Sequence, residues 1–173
     1  EILVSAQAIQ ARIAELGRQI ALDYRGKDPI LVCVLKGALV FLSDLVRAID
    51  APVELDFMAI SSYGGRRTES SGVVRILMDL NQTIEGRHVL VVEDIVDTGR
   101  TLTYIRENLQ TRKPASLRVC ALLNKPSRRV LPVPLDYVGF EIPDKFVIGY
   151  GLDFNEFYRN LPYVGVLKPD KYR

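Results

Sequence analysis

The sequence predicts an α/β fold, with helices flanking a mostly parallel central sheet. Three observations predict it. Short, unalternated apolar runs rich in branched residues recur at 30–35, 88–92 and 117–123, the pattern of strands buried on both faces. Apolar residues between these runs fall at steps of three and four, which is helical spacing. Strands and helices therefore alternate along the chain, the order that wraps helices around a parallel sheet.

Length and composition agree. The chain has 173 residues, 48% apolar and 25% charged, and is expected to form one domain over 1–173. That composition argues against disorder, collagen and coiled coil. A formal charge of +2 argues against general nucleic-acid binding. No apolar run approaches the roughly 20 residues of a membrane span, and no secretory signal is visible. Cys33 and Cys120 sit inside apolar runs and are expected to be buried free thiols, which fits a cytoplasmic protein. Two cysteines and one histidine cannot build a Cys₄ or Cys₂His₂ zinc site.

Residues 5–25 read as an amphipathic helix with Ser5 as N-cap and Ile9, Ile13, Leu16 and Ile20 on one face. Gly26 suits its stop, and the strand 30–35 follows Pro29. Lys36-Gly37 breaks that strand, and Ala38, Phe41, Leu42, Leu45 and Ile49 give a second helix. Residues 53–61 read as a strand, 63–72 as a long polar loop, and 73–79 as a strand returning in a hairpin. The strand at 88–92 runs into an acidic turn at 93–101, followed by helical spacing at Leu102, Ile105 and Leu109. After the strand at 117–123, short strands are expected at 137–140, 146–150 and 163–167. His88 is expected to be structural.

The acidic turn carries the chemistry. Glu93, Asp94 and Asp97 repel one another unless something positive joins them. Oxygen-rich clusters suit Mg²⁺, which keeps several waters and often bridges to substrate phosphates. Asp97-Thr98-Gly99-Arg100-Thr101 then opens a helix. Gly99 lets backbone approach a ligand, and the helix start offers free N–H groups, with Thr98 and Thr101 adding hydroxyls: a phosphate cradle. The ligand should carry a phosphate close to hydroxyls, as a ribose phosphate does. Both this turn and Lys36-Gly37 join a strand to a helix, so both are expected on the carboxyl edge of the sheet, where such folds bind ligands.

Val91-Val-Glu-Asp-Ile-Val-Asp-Thr-Gly-Arg-Thr101 resembles the phosphoribosyl pyrophosphate motif of type I phosphoribosyltransferases. Leu35-Lys36-Gly37, Ser62-Tyr63-Gly64, Asn124-Lys125, the stretch from Val138 to Val147, Gly149 to Asp153 and Tyr158 to Pro162 narrow the resemblance to the hypoxanthine-guanine branch. It covers nearly the whole chain, in the family's order. The resemblance implies the type I phosphoribosyltransferase fold with a small C-terminal hood for the base and a lid loop at about 62–73. It implies a purine-salvage transferase that joins phosphoribosyl pyrophosphate to hypoxanthine or guanine, needs Mg²⁺ and forms homodimers or homotetramers.

It also implies roles. Glu93 and Asp94 hold the ribose hydroxyls and Mg²⁺. Asp97, Thr98, Gly99, Arg100 and Thr101 wrap the 5′-phosphate, and Asp97 is the acid/base for the purine N7 proton. Burial and two acidic neighbours are expected to raise its pKa. Lys36, Gly37 and Arg159 take pyrophosphate, and the Leu35–Lys36 peptide can be cis. Lys125 donates to the purine O6, Phe146 stacks on the ring, Val147 reads the base through its backbone, and Asp153 meets the base edge and a second Mg²⁺. Ser62 and Tyr63 begin the lid, which would keep water from a ribosyl oxocarbenium-like centre. Two other readings stay open: a transferase preferring xanthine or guanine, and a regulator that reuses the fold to bind RNA through Arg66-Arg67 and Arg128-Arg129.

Overall fold

The computed structural model describes residues 1–62 and 74–172. Along the chain the elements are β1 (Ile2–Val4), α1 (Ala6–Asp23), β2 (Ile30–Leu35), α2 (Leu39–Ala48), β3 (Glu54–Ser62), β4 (Val74–Met78), β5 (His88–Val96), α3 (Arg100–Gln110), β6 (Ser116–Asn124), β7 (Tyr137–Glu141), β8 (Val147–Ile148) and β9 (Val164–Val166). Single 3-10 turns occur at Pro126–Arg128 and Pro169–Lys171.

Among the described residues, β4-β3-β2-β5-β6-β7 form one sheet, parallel except for β4, which returns antiparallel to β3 as a hairpin partner. The central strands alternate between two apolar layers. Leu31, Cys33, Leu90, Val92 and Cys120 pack with α1 and α2, while Ile30, Val32, Val89, Val91 and Val119 pack with α3. Both sides are covered, which is why these runs carry no polar alternation. Both cysteines are buried and unbridged.

Ser5 Oγ accepts the Ala8 N–H at 3.1 Å and caps α1. Gly17 faces α2, where a β-carbon would lie 2.3 Å from the Ala48 carbonyl oxygen. A glycine inside a helix costs about 1 kcal/mol, here offset by the close approach of the two helices.

The chain leaves β2 through α2 to reach β3 on one side, and leaves β5 through α3 to reach β6 on the other. β2 and β5 are adjacent, with Ile30 opposite Val89 and Cys33 opposite Val92. The strand order therefore reverses between them, and a crevice opens at their carboxyl ends.

Three features differ from the sequence expectation, and a fourth expectation falls outside the described residues. β5 runs to Val96, so Glu93 and Asp94 lie in the strand rather than in the turn after it. The strand expected at 146–150 shrinks to Val147–Ile148, because Gly149, Tyr150 and Gly151 all take positive φ and turn the chain away. The three-residue β1, which the sequence reading did not register, joins β9 and β8 in a small antiparallel sheet. The loop 63–72, with Tyr63, lies outside the described residues.

Candidate active site

Three strand-to-helix or strand-to-turn junctions converge at the crevice. A cavity of about 250 Å³ is walled by Leu35 and Gly37 from the end of β2 and by Glu93, Asp94, Asp97 and Thr101 from β5 and the start of α3. A second cavity of about 530 Å³ lies beside it, walled by Lys125, Phe146, Val147, Leu152 and Tyr172. Ile95 and Asp97 line both. The acidic turn and Lys36-Gly37 thus share one edge, as their positions predict.

Strand β5 fixes the acids. Pairing of Glu93 with Ala121 and Ile95 with Leu123 holds the backbone from the β6 side. Glu93 is 6% exposed, and burial, reinforced by the neighbouring Asp94 charge, pushes its carboxyl well above the usual range. Burial also pushes the Asp94 carboxyl up, to about 6, against the opposing pull of backbone N–H groups and the more distant Arg159. Among the described residues neither is ion-paired, and no three carboxylate, histidine or cysteine groups converge as a ready-made metal cage. Asp97 is exposed, so burial falls on Glu93, and in part on Asp94, rather than on Asp97, contrary to expectation.

Gly37 stands directly behind Asp94. A β-carbon there would lie 1.8 Å from Asp94 Oδ2. The Leu35–Lys36 peptide is cis. Gly151 in turn approaches Gly37, since its β-carbon would lie 2.2 Å from the Gly37 carbonyl oxygen. These two glycines bring the distant segment 151–159 against the β2 end.

The 97–101 turn is braced from behind. Gly99 has φ +83 and a β-carbon there would meet the Leu131 carbonyl oxygen at 2.5 Å, so both conformation and space demand glycine. Asp97 Oδ1 accepts the Thr98 N–H at 2.6 Å. The Thr98 carbonyl accepts the N–H groups of Val130 and Leu131, and Arg129 Nε donates to the Asp97 carbonyl at 2.9 Å. Arg129, named above only as part of a candidate RNA-binding spot, is a clasp on this turn that also reaches Asn124 Oδ1.

Lys125 is 8% exposed, and its Nζ donates to the Lys145 carbonyl at 2.8 Å. Burial lowers its pKa, and Asp144 partly opposes that. Phe146 meets Phe154 edge-on at 5.8 Å and stacks on Tyr172 at 4.8 Å. Asp153 does not line the second cavity. Its carboxylate accepts the Glu156 N–H at 2.8 Å and lies 3.5 Å from Arg159 Nη2. Arg159 Nη1 donates to the Gly151 carbonyl at 2.7 Å. Lys36 Nζ meets Glu156 Oε2 at 2.9 Å, and with Arg159 it holds that carboxyl below its ordinary pKa.

His88 lies at the opposite end of β5, its Nδ1 2.7 Å from Ser116 Oγ, as a structural histidine should. Ser62 closes β3 opposite Val74, and Ile60 of the same strand lines the first cavity. Sequence reasoning missed Tyr172, Arg129 and Glu156 as neighbours of the site. Each gains its place from a partner distant in sequence, so no local pattern marks it.

A buried acidic strand end, a glycine turn opening a helix and an aromatic cavity sharing one wall define a phosphoribosyl-handling α/β class. The phosphoribosyl transferase domain family matches residues 1–155. The hypoxanthine-guanine phosphoribosyltransferase of Mycobacterium avium is 56% identical over 99% of this chain and 87% of its own. That of Streptococcus thermophilus is 51% identical over 99% of this chain and 95% of its own. A crystal structure of a hypoxanthine phosphoribosyltransferase from Staphylococcus aureus superposes with a TM-score of 0.95 at 50% identity, covering 100% of this chain and 94% of that one. The chain belongs to the hypoxanthine-guanine phosphoribosyltransferase family of type I phosphoribosyltransferases.

Proposed function

We propose that the protein transfers the 5-phosphoribosyl group from phosphoribosyl pyrophosphate to N9 of hypoxanthine or guanine, giving IMP or GMP and pyrophosphate in purine salvage. The observation that carries this reading is the shared wall: Ile95 and Asp97 border both the acidic cavity and the aromatic one, so a ribose in the first presents its anomeric carbon to a base in the second.

Asp97, at that boundary, serves as acid/base for the purine N7 proton. Thr98, Gly99, Arg100 and Thr101 wrap the 5′-phosphate with N–H groups at the α3 start and two hydroxyls. Glu93 and Asp94 hold the ribose hydroxyls. Lys125 donates to the purine O6, Phe146 stacks on the ring with Tyr172 behind or beside it, and Val147 reads the base through its backbone. Lys36, Gly37 and Arg159 receive pyrophosphate as the bond from C1 to its oxygen breaks and the bond from C1 to N9 forms.

A buried and a half-buried carboxylate side by side, without an ion-paired partner among the described residues, fit a hard divalent cation, and Glu93 and Asp94 are the residues that would hold Mg²⁺, directly or through ribose and water. Bound there, Mg²⁺ would neutralise substrate phosphate charge and the pair of acids. Asp153, close enough to raise the Asp94 pKa, is the candidate for a second Mg²⁺. The segment leaving β3 at Ser62 and returning at Val74, with Tyr63, is read as the lid, and the C-terminal segment as the base hood, within one domain over 1–173. The protein is read as a homodimer or homotetramer in the cytoplasm, where its two buried thiols stay reduced. Among the described residues no helix is long and apolar enough to cross a membrane.

One assay panel tests the reading. Purified protein with phosphoribosyl pyrophosphate and Mg²⁺ is offered hypoxanthine, guanine, xanthine, adenine and uracil. Turnover of the first two supports it, and turnover of only adenine or uracil sinks it.

A further inference from the structure

We infer that Glu156 is a built-in competitor for the pyrophosphate site: its carboxylate bridges Lys36 and Arg159 between turnovers, and an incoming pyrophosphate group must displace it. The inference rests on the reading above, in which those two cations receive pyrophosphate. Lys36 Nζ meets Glu156 Oε2 at 2.9 Å, and Arg159 Nη2 meets Oε1 at 3.3 Å, so each carboxylate oxygen serves a different cation. Lys36 and Glu156 are 120 residues apart in sequence, and the close Gly37–Gly151 approach brings their segments together. A carboxylate spanning two cations presents what a pyrophosphate presents there, two anionic oxygens sharing charge.

The backbone under Glu156 is fixed while its side chain is not. Asn155 and Glu156 hold φ values of 51 and 72, a left-handed turn unusual for such residues, and the Glu156 N–H donates to Asp153 Oδ2 at 2.8 Å. The Glu156 side chain is 63% exposed and can swing into solvent. Lys36, 69% exposed, would otherwise sample many positions, so Glu156 also keeps its ammonium extended toward Arg159. Exposed ion pairs are individually weak, which makes displacement easy for a polyanion. When pyrophosphate leaves, the same carboxylate closes the pairs again and opposes rebinding. Glu156 is thus a positioning residue that sets the balance between holding phosphoribosyl pyrophosphate and releasing pyrophosphate.

The test compares the wild-type protein with Glu156→Gln, which keeps shape and removes charge. Product inhibition by inorganic pyrophosphate is measured against phosphoribosyl pyrophosphate, with hypoxanthine saturating. The inhibition constant is expected to fall roughly three- to tenfold in Glu156→Gln, since two exposed pairs are lost. KM for phosphoribosyl pyrophosphate falls in the same direction, KM for hypoxanthine stays within about twofold, and the difference shrinks at about 0.5 M salt. Glu156→Asp, which keeps the charge on a shorter arm, falls between the two. Glu156→Ala carries the same expectation as Glu156→Gln and replaces it if the latter melts early. An unchanged or weaker pyrophosphate affinity in the neutral variants, beside an active wild type, overturns the inference. A wild type that neither transfers nor binds pyrophosphate overturns the functional reading itself, and this inference with it.

Discussion

Two strands of one sheet bury acid in opposite ways. On β3, Asp56 is 3% exposed, and its oxygens accept the N–H groups of Phe57, Asn81 and Gln82 at 2.8–3.2 Å. Backbone donors spread its charge and pin the approach to β5. On β5, Glu93 is buried and Asp94 half-buried, neither with an ion-paired partner among the described residues, and both carboxyls are driven upward. Burial of a carboxylate therefore does not mark a binding site. What marks it is burial that backbone donors, such as the Ile95 N–H to Asp94 Oδ1 at 2.7 Å, offset too little to keep the carboxyl in its ordinary range. Asp56 is tied into the fold by backbone donors, whereas the β5 pair is held against its charge, as the proposed ligand-binding role would require.

The contrast can be broken most directly by neutralising one side of it. Asp94→Asn is expected to lower kcat/KM for phosphoribosyl pyrophosphate by about a hundredfold or more, in the range seen when a charge-stabilising group is removed, while the protein melts no earlier. Steady-state kinetics with parallel thermal unfolding checks both halves. Gly37→Ala attacks the same pair indirectly. The added methyl must push Asp94 aside, and the expected loss is roughly ten- to a hundredfold in kcat/KM with the fold retained. Asp56→Ala should show the reverse profile. Leaving the Asn81 and Gln82 N–H groups unpaired is expected to cost about 2–4 kcal/mol in urea unfolding, with kcat per folded molecule unchanged.

The smallest effect sharpens the comparison through pH. The Asp94 carboxyl rises from 3.8 to about 6 on folding, so between those values the folded protein binds more protons than the unfolded chain. Stability from this group is thus highest at low pH and is lost as pH rises through the window. Metal-free Asp94→Asn should gain about 1–3 kcal/mol over the wild type at pH ~8 and little at pH ~4. Equal unfolding free energies at both pH values would show that the pair is compensated after all.

Much of this arrangement was legible in the sequence. The apolar runs located the central strands, and the residue types placed Glu93 to Thr101 at a strand-to-helix junction on the carboxyl edge, where the structure finds them lining a cavity. Local pattern sufficed because those residues are contiguous in sequence. Asp56 was not legible, since its donors Asn81 and Gln82 lie beyond the next hairpin. Nor was β1, whose three residues become a strand only by pairing with β9 at the far end of the chain. Tyr172 and Arg129 follow the same rule: each is placed by a long-range partner. The shortening of β8 came from three successive positive φ values, two at glycines that the sequence showed and one at Tyr150 that it did not.

Because Glu93 and Asp94 ride on an interior strand hydrogen-bonded to β6 at their own level, their spacing is inherited from the sheet. On the proposed function, the sugar-phosphate end of the substrate would meet a rigid template, with little freedom to adapt by loop motion. The second cavity, where the proposed function puts the base, is assembled from short segments around 125, 143–147 and 172, so changes in which base is accepted could accumulate there while the handling of the sugar stays fixed. Amide hydrogen exchange would register the division as slow exchange across 91–96 beside faster exchange across 143–147.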